Sequence, residues 1–363
     1  MVNNKPLMVI LCPYPANTAA SQRFRFEQQI PFLNQYFNIK QYSFWTKKSN
    51  RILYSQGKLL QKSIGLILGF LRRLIHLNHC IKADIIFIHR EIIPTGSTVF
   101  ERILSKNFNK NLVFDFDDAI WNLDTSDGNK GLEWLKNPIK VEKIIELSSA
   151  IITGNSYLSK YVGQFNSAVT IIPTTIDTSY HIPILKISGK PICIGWTGSK
   201  TTVKHFDMII PILTKMKNKY GSQVYFKLIG DSGYTNNELE ILGAKWCLES
   251  EIEDLQEIDI GIMPLPDDEW SKGKCGFKGL QYMALEIPTI MSPVGVNTEI
   301  VNHGINGFLA NSDNEWIECL SALIEDKELR TRIGKEGRKT VINRFSVESQ
   351  KENYLSIFNN LIR

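Results

Sequence analysis

The sequence predicts an α/β protein with two doubly wound parallel-sheet domains that face each other across a cleft. Short runs rich in Ile, Val and Phe alternate with helical stretches, which is the pattern of parallel βαβ units. The alternation starts afresh after residues 173–177, a segment typical of a linker. At 363 residues the chain is also too long for one typical core. We expect a first domain at 1–175, a second at 176–345, and a helix at 346–363 that packs back on the first.

Apolar runs predict the strands of both domains. In the first domain they lie at 7–11, 38–44, 84–89, 111–116, 150–153 and 169–172. In the second domain they lie at 191–195, 224–230, 258–263 and 289–292. Since ligands of open α/β sheets bind at the carboxyl ends of strands, the loops after these runs are the candidate sites.

The composition indicates a globular chain in a reducing compartment. Hydrophobic residues make up 43% of it and charged residues 22%, which is ordinary for a globular protein. Six cysteines are scattered without any Cys-x-x-Cys pair, so neither a zinc site nor a disulfide framework is expected. The apolar run at 7–12 is too short for the core of a signal peptide and predicts a first strand instead. We expect a cytoplasmic protein.

The charge distribution indicates an anionic partner for the first third of the chain. Residues 1–110 hold 16 Lys and Arg against 4 Asp and Glu, a net charge of +12, and the remainder carries −7. A basic, helical segment at 47–82 has its longest uncharged run at 63–71, short of the ~20 residues that span a bilayer. It predicts peripheral contact with the inner face of an anionic membrane. A core helix with a basic outer face is the alternative, and nucleic acid is disfavoured because stacking aromatics are not interleaved with the charges.

Several polar residues follow the first-domain strands. Arg23 and Arg25 come soon after the first strand, and His89 and Arg90 end the third; we predict that these four bind anions or the acceptor. The fourth strand runs into three acids within four residues, of which helix capping accounts for one at most. They predict a general base, a metal site or groups that orient sugar hydroxyls, with Asp117 and Asp118 as catalytic candidates.

The stretch 271–299, SKGKCGFKGLQYMALEIPTIMSPVGVNTE, is the feature around which the second domain is organised. A basic glycine loop leads into a helix at 277–285, and a buried strand follows that ends in a second glycine loop. Glycine loops and helix N-termini offer N–H groups to an anion, and lysine adds a point charge. A nucleotide diphosphate suits such a place, and an ordinary αβ connection with exposed lysines is the alternative.

Taken together, these loops resemble a glycosyltransferase of the two-Rossmann GT-B type, close to family 4. The resemblance rests on the linker Ile-Pro-x-x-Ile-Asp and on GFKGLQYMALEIPTIMSPVGVNTEIVNHGINGFLA. Many members carry two glutamates eight positions apart; here Gly273 and Gln281 stand in those places, and Glu286 falls where relatives have glycine. The Gly-Lys-x-Gly-Phe-Lys pattern is similar to a sub-branch in which this variation is usual.

The resemblance implies retaining transfer of a sugar from a nucleotide-sugar donor to a glycan or lipid-linked acceptor, in cell-surface polysaccharide biosynthesis, without a bound metal or other cofactor. It implies that Lys274 and Lys278 neutralise the leaving diphosphate and that Asp117 or Asp118 takes the place of a family histidine. Gly198 and Ser199 would face the donor phosphates through backbone N–H groups, Gly230 and Asp231 would lie beside base and ribose, and Gln281 would bind a ribose hydroxyl. The remaining donor-site residues are Gly276, Phe277, Val294, Gly295, Val296 and Glu299.

The sequence allows three other interpretations. The first is a non-catalytic GT-B-shaped module that binds nucleotide-sugars, suggested by the missing first glutamate. The second is a metal-dependent transferase, because residues 115–117 match a short Asp-x-Asp pattern; such matches are common by chance, and that chemistry belongs to another fold. The third, an epimerase, lacks a further acid or base near the donor loop.

Overall fold

The computed structural model describes residues 5–53, 55, 57–122, 137, 139–186 and 189–362. It divides into two compact units, Met1–Thr174 with Gln350–Arg363 and Thr175–Ser349. Each unit is an α/β domain built on a parallel sheet. The last helix, Val347–Ile362, begins in the second unit and belongs to the first from Gln350 onward.

The first unit contains six parallel strands in the order β2-β1-β3-β4-β5-β6. β3 is buried along its whole length, as expected for a central strand covered on both faces. The strands are β1 Leu7–Cys12, β2 Asn38–Ser43, β3 Ile85–His89, β4 Asn111–Phe116, β5 Ala150–Thr153 and β6 Val169–Ile171. The helices before the last one are α1 Ala20–Arg25, α2 Ile30–Leu33, α3 Lys47–Leu53, α4 Leu59–Lys82, α5 Val99–Arg102, α6 Ile139–Leu147 and α7 Ser156–Val162.

The second unit repeats the same topology with five parallel strands in the order β13-β12-β11-β7-β8. A short antiparallel pair, β9 with β10, lies outside this sheet. The strands are β7 Ile192–Thr197, β8 Val224–Ile229, β9 Thr235–Asn236, β10 Ile241–Leu242, β11 Ile260–Met263, β12 Thr289–Met291 and β13 Phe308–Leu309. The helices are α8 Val203–Asp207, α9 Ile210–Tyr220, α10 Glu251–Gln256, α11 Glu269–Lys272, α12 Phe277–Ala284, α13 Asn297–Ile300, α14 Asp313–Glu325, α15 Lys327–Thr340 and α16 Val347–Ile362.

Each unit has its own hydrophobic core. In the first, side chains from β1 and β3 pack with Tyr354 and Phe358 of α16. In the second, β7 and β8 pack against α9 and α14, with Trp196 and Trp316 inside the cluster. In both sheets the strand order reverses beside the first strand, between β1 and β3 and between β7 and β11. Such a reversal opens a crevice at the carboxyl ends of the strands, which is where ligands of doubly wound sheets bind.

Candidate functional site

Two glycines bring the loops after β7 and β8 into direct contact. Gly198 donates its amide hydrogen to the carbonyl of Ile229 at 2.9 Å. A Cβ atom on Gly230 would lie 1.9 Å from the carbonyl oxygen of Gly198, and the φ angle of Gly230 is 125°. Any side chain there would therefore clash with backbone and strain the chain. Glycine is needed at both positions because these two loops pack closely against each other.

The amides of this first loop are already engaged inside the unit. The N–H of Gly198 is taken by Ile229, and that of Ser199 donates to Oγ1 of Thr202 at 3.0 Å. That both amides face donor phosphates stays a prediction, and such contact would have to compete with these two hydrogen bonds. Asp231 accepts the amide of Gly233 at 3.0 Å and thereby stabilises its own turn, so its role beside a ribose stays a prediction.

Lysines gather at the strand-order reversal of the second unit. Lys274 places its Nζ 4.3 Å from the ring centroid of Trp270, and Lys278 places its Nζ 5.5 Å from that of Trp196. Burial lowers the pKa of the His205 ring, and the positive charges of Lys278, Lys204 and Lys274 all lie close enough to lower it further. A lysine held against an aromatic face keeps its charge while its stem loses freedom. The cluster Lys204, Lys274 and Lys278, called here the lysine cluster, thus concentrates positive charge at this edge of the sheet.

His205 is a neutral group beside these charges. Its side chain is 3% exposed, and its Nδ1 has no hydrogen-bond partner among the described residues. Burial, together with the positive charges of Lys278, Lys204 and Lys274, lowers its pKa to about 4. The ring is therefore uncharged near neutral pH. It can give or take one hydrogen bond beside a bound anion without adding to the charge of the cluster.

Sequence reasoning missed Lys204 and His205. Both lie in α8, the first helix after the glycine loop that follows β7. The available signal was their place in the first βα connection of the second unit, where doubly wound folds bind phosphate groups. The lysines of 271–299 form one local basic pattern, whereas α8 joins the same crevice only through the fold.

The loops around α12 require glycine for steric reasons. Gly276 precedes α12 with a φ of 68°, and a Cβ on it would lie 2.3 Å from Cδ1 of Ile300. Gly295 has a φ of 54°, and its Cβ would lie 2.7 Å from the carbonyl oxygen of Lys272. These contacts hold the second glycine loop against the stretch that carries Lys274. The close approach of backbone here is to the protein itself, and contact with a donor remains a prediction.

The other donor-site candidates occupy different environments. Val294 and Val296 are buried, so their side chains belong to the core. Phe277, the first residue of α12, is partly buried. Glu299 is exposed, and its backbone carbonyl accepts a hydrogen bond from Arg344 at 3.3 Å.

Gln281 is buried inside the second unit. Its side chain is 2% exposed, and Nε2 donates to Oε1 of Glu251 at 3.2 Å. The same oxygen accepts from the indole N–H of Trp246 at 3.0 Å. Its amide thus satisfies a buried carboxylate, and its contact with a ribose hydroxyl stays a prediction. Glu251, which sequence reasoning missed, is the reason an amide suits this position.

In the first unit, Arg90 joins the two predicted catalytic aspartates. Its guanidinium donates to Oδ1 of Asp117 at 2.7 Å and to Oδ2 of Asp118 at 2.6 Å. Burial raises the pKa of Asp117, but Arg90, His89 and Arg25 lower it by a larger amount. The pKa of Asp117 is therefore below its ordinary value. Asp117 therefore stays ionised and acts as a hydrogen-bond acceptor, which makes it a weak general base at neutral pH. The structure thus brings together the two predicted catalytic aspartates and Arg90, which was predicted to bind anions or the acceptor.

Behind this group lies a second, fully buried set of charges. Arg25 donates to Oδ1 of Asp115 through NH2 at 2.5 Å and through Nε at 3.1 Å, and also to the carbonyl of Ile172. His89 places Nδ1 2.7 Å from Asp115 and Nε2 3.3 Å from the hydroxyl of Ser21. Both side chains are enclosed and paired with Asp115, so their binding of anions or acceptor stays a prediction.

Arg23 is also buried, with its guanidinium 4.9 Å from the ring centroid of Phe24. Its binding of an anion or the acceptor stays a prediction. Of the four predicted acceptor residues, Arg90 alone keeps substantial exposure, with 23% of its side chain accessible. Across the described ranges, no group of three His, Cys, Asp or Glu side chains could hold a metal ion.

Comparison with solved structures identifies the class of fold. A glycosyltransferase from Rickettsia africae matches with a TM-score of 0.68 and 14% identity over 99% of both chains. Anabaena Alr3699/HepE, solved in complex with UDP and glucose, matches with a TM-score of 0.66 and 14% identity over 98% of this chain and 99% of that one. The chain thus has the GT-B glycosyltransferase fold, with two Rossmann-like domains.

Sequence comparison finds a family-model match within the second unit. Residues 191–326 match the family model described as Glycosyl transferases group 1. The matched range contains the lysine cluster. Among curated proteins, Glycosyltransferase 1 domain-containing protein 1 of Xenopus tropicalis is 26% identical over 145 residues, 38% of this chain. The chain spans less than half of that relative, 42% of its length.

Proposed function

We propose that this protein is a retaining glycosyltransferase that moves a sugar from a nucleotide-sugar donor to a glycan or lipid-linked acceptor. The observation that carries the proposal is the lysine cluster, which lies at the strand-order reversal of the unit with group 1 sequence. Anion-binding groups at that edge suit the diphosphate of a donor. Family 4 membership and retention of configuration follow from the sequence resemblance and form part of the proposal.

The lysine cluster supplies the electrostatics that such a transfer needs. Negative charge grows on the leaving diphosphate as the sugar–oxygen bond breaks, and preformed positive groups stabilise that state more than the ground state. Lys274 and Lys278 are each held against an aromatic ring, so their positive charges are in place before the negative charge develops. In this proposal lysines do the work of a metal ion, and the reaction needs no metal or other cofactor.

The first unit would supply the acceptor side. Asp117 and Asp118, fixed by Arg90, present partly exposed carboxylates at the carboxyl ends of the strands. Ionised carboxylates accept hydrogen bonds from sugar hydroxyls, so the three residues are suited to orienting a hydroxyl-rich acceptor. We place the activity in the cytoplasm, in the assembly of cell-surface polysaccharide.

A turnover assay with matched lysine variants tests the proposal. Purified protein is incubated with a panel of nucleotide-sugars, beginning with UDP-glucose because the Anabaena relative was solved with UDP and glucose, and free nucleotide is measured. Slow donor hydrolysis without acceptor is expected from the wild type and should be lost in Lys274→Ala. Lys272→Ala is the control, because this nearby ammonium pairs with Glu269 at 3.1 Å.

Two outcomes contradict the proposal. If Lys274→Ala and Lys272→Ala release nucleotide at the same rate as the wild type, the lysine cluster has no part in the chemistry. If the wild type binds a nucleotide-sugar but releases no nucleotide across the panel, with or without glycan acceptors, the protein is a non-catalytic binding module.

A further inference from the structure

Helix α4 has its polar side against the protein and its apolar side toward solvent. Its buried residues, called here the inner face, are Lys62, Gly69, Arg73, His76 and Cys80. Its half-buried large apolar residues are Leu66, Phe70, Leu77 and Ile81, whereas its other large apolar residues are exposed by 48% to 75%. Those opposite the inner face, called here the outer stripe, are Leu60, Ile64, Ile67, Leu68, Leu71, Leu74 and Ile75. At about 100° of rotation per residue, the two sets lie on opposite sides of the helix. A surface helix of a globular protein shows the reverse pattern.

The inner face ties α4 firmly to the first unit. The guanidinium of Arg73 donates to the carbonyls of Cys12 at 2.7 Å, Tyr42 at 2.9 Å and Ile92 at 2.8 Å. A Cβ on Gly69 would lie 2.4 Å from the ring of Phe44, so helix and ring are in close contact. Turning the outer stripe inward would break the three hydrogen bonds of a buried charge. The hydrogen bonds of Arg73 therefore keep the apolar side of α4 toward solvent.

Basic residues border the outer stripe. Segment 47–82 contains eight Lys and Arg and no Asp or Glu. Positions 54 and 56 of this segment lie outside the described residues. The exposed bases precede the stripe, on α3 and just before α4, or follow it at the end of α4; they are Lys47, Lys48, Arg51, Lys58 and Lys82. The surface thus combines a large apolar strip, of a size that marks an interaction site, with positive charge at both ends.

We infer that α4 lies in the plane of an anionic membrane, with the outer stripe among the acyl chains and the flanking bases at the headgroups. An apolar strip bordered by Lys and Arg is the arrangement that binds such interfaces. By length and composition α4 could also cross a bilayer. Crossing would pull Arg73 from its three carbonyl acceptors, so the in-plane orientation is favoured. Pairing with a second copy would bring basic helix ends together, which opposes association.

Vesicle co-sedimentation of the full chain tests this inference without any measurement of turnover, so it can fail while the proposed function holds. The vesicles contain phosphatidylcholine alone or mixed with phosphatidylglycerol. The wild type should bind the mixed vesicles, less tightly at high salt. The triple variant Leu68→Gln, Leu71→Gln and Ile75→Gln should lower the partition coefficient by roughly 100-fold, since each of these side chains is at least half exposed.

Two further variants separate the contributions. Lys47→Gln, Lys48→Gln and Arg51→Gln together should weaken binding to the mixed vesicles by about 10- to 100-fold and reduce its salt dependence. The control triple variant Ile182→Gln, Leu242→Gln and Ile305→Gln removes equally exposed apolar side chains from the second unit and should bind like the wild type.

Three results would overturn the inference. One is equal sedimentation of the wild type and the outer-stripe variant. Another is equal affinity of the wild type for neutral and mixed vesicles, because anionic lipid would then play no part in binding. The third is a wild-type dimer in size-exclusion chromatography that ignores vesicles and dissociates in the outer-stripe variant, because a second copy would then be the occupant.

Discussion

Replacing Asp115 with asparagine removes the charge on which the buried polar centre of the first unit depends. Asp115, Arg25 and His89 are each 0% exposed in their side chains, so water cannot replace a lost partner. Removing one member of a buried ion pair leaves an uncompensated charge and destabilises proteins by about 3–5 kcal/mol. For a unit of roughly 190 residues, at about 2–4 °C per kcal/mol, the melting temperature should fall by roughly 10 °C.

Thermal unfolding followed by circular dichroism measures this change. Asp313→Asn is the control, because Asp313 and Lys215 form an exposed pair at 3.4 Å that should contribute less than about 1 kcal/mol. If Asp115→Asn unfolds within about 1 °C of the wild type, the carboxylate does not hold the buried centre together, and the reasoning from enclosure and charge is refuted.

The same variant has a defined pH signature. Burial raises the pKa of Asp115, but Arg25 and His89 lower it further, so the folded-state pKa lies below the unfolded value of about 3.9. The stability from this carboxylate is therefore present above that unfolded value and is lost as pH falls through the folded pKa. Between about pH 5 and pH 3, the wild type should lose more stability than Asp115→Asn. Parallel losses in the two proteins would contradict the assignment.

Three further predictions concern the second unit. Gly230→Ala should destabilise it by more than about 2 kcal/mol in urea unfolding, since the new Cβ meets the Gly198 carbonyl oxygen, whereas Gly189→Ala, with a positive φ but open space, should cost less. The His205 ring should show no NMR titration between about pH 8 and pH 5, because its pKa is lowered to about 4; a midpoint near 6.5 would contradict its burial beside lysines. Gln281→Glu should be more destabilising at pH 8 than at pH 5, because a second carboxylate beside Glu251 raises the pKa of the pair; an effect independent of pH would contradict their contact.

The sequence predicted the strands well and the charged side chains poorly. Runs such as 84–89 and 111–116 identify central strands because a parallel sheet covered on both faces needs nearly continuous apolar residues. Arg25 was placed at a ligand site because its partner Asp115 is distant in the chain, and no local pattern shows that the two meet. The outward orientation of the outer stripe was hidden for a similar reason, since the three carbonyls that hold Arg73 come from three separate segments.

The residues of the lysine cluster also divide into those that the sequence predicted and those that it missed. Nearby glycines such as Gly276 and Gly295 are predicted from the sequence, because turns and close backbone approaches leave a compositional mark. Lys274 and Lys278 were recognised because they lie within one basic glycine stretch. Lys204 and His205 were missed because they come from another connection, and only the strand order of the folded sheet brings α8 to the same crevice as α12.

Calorimetric titration of UDP into the wild type and single lysine variants tests the central claim most directly. If the lysine cluster binds a donor diphosphate, Lys204→Ala, Lys274→Ala and Lys278→Ala should each weaken UDP binding by roughly 10-fold or more, as expected for a lost charge-assisted contact, while Lys272→Ala leaves it unchanged. Wild-type affinity in all four variants would contradict the claim that this edge of the second unit is the nucleotide site.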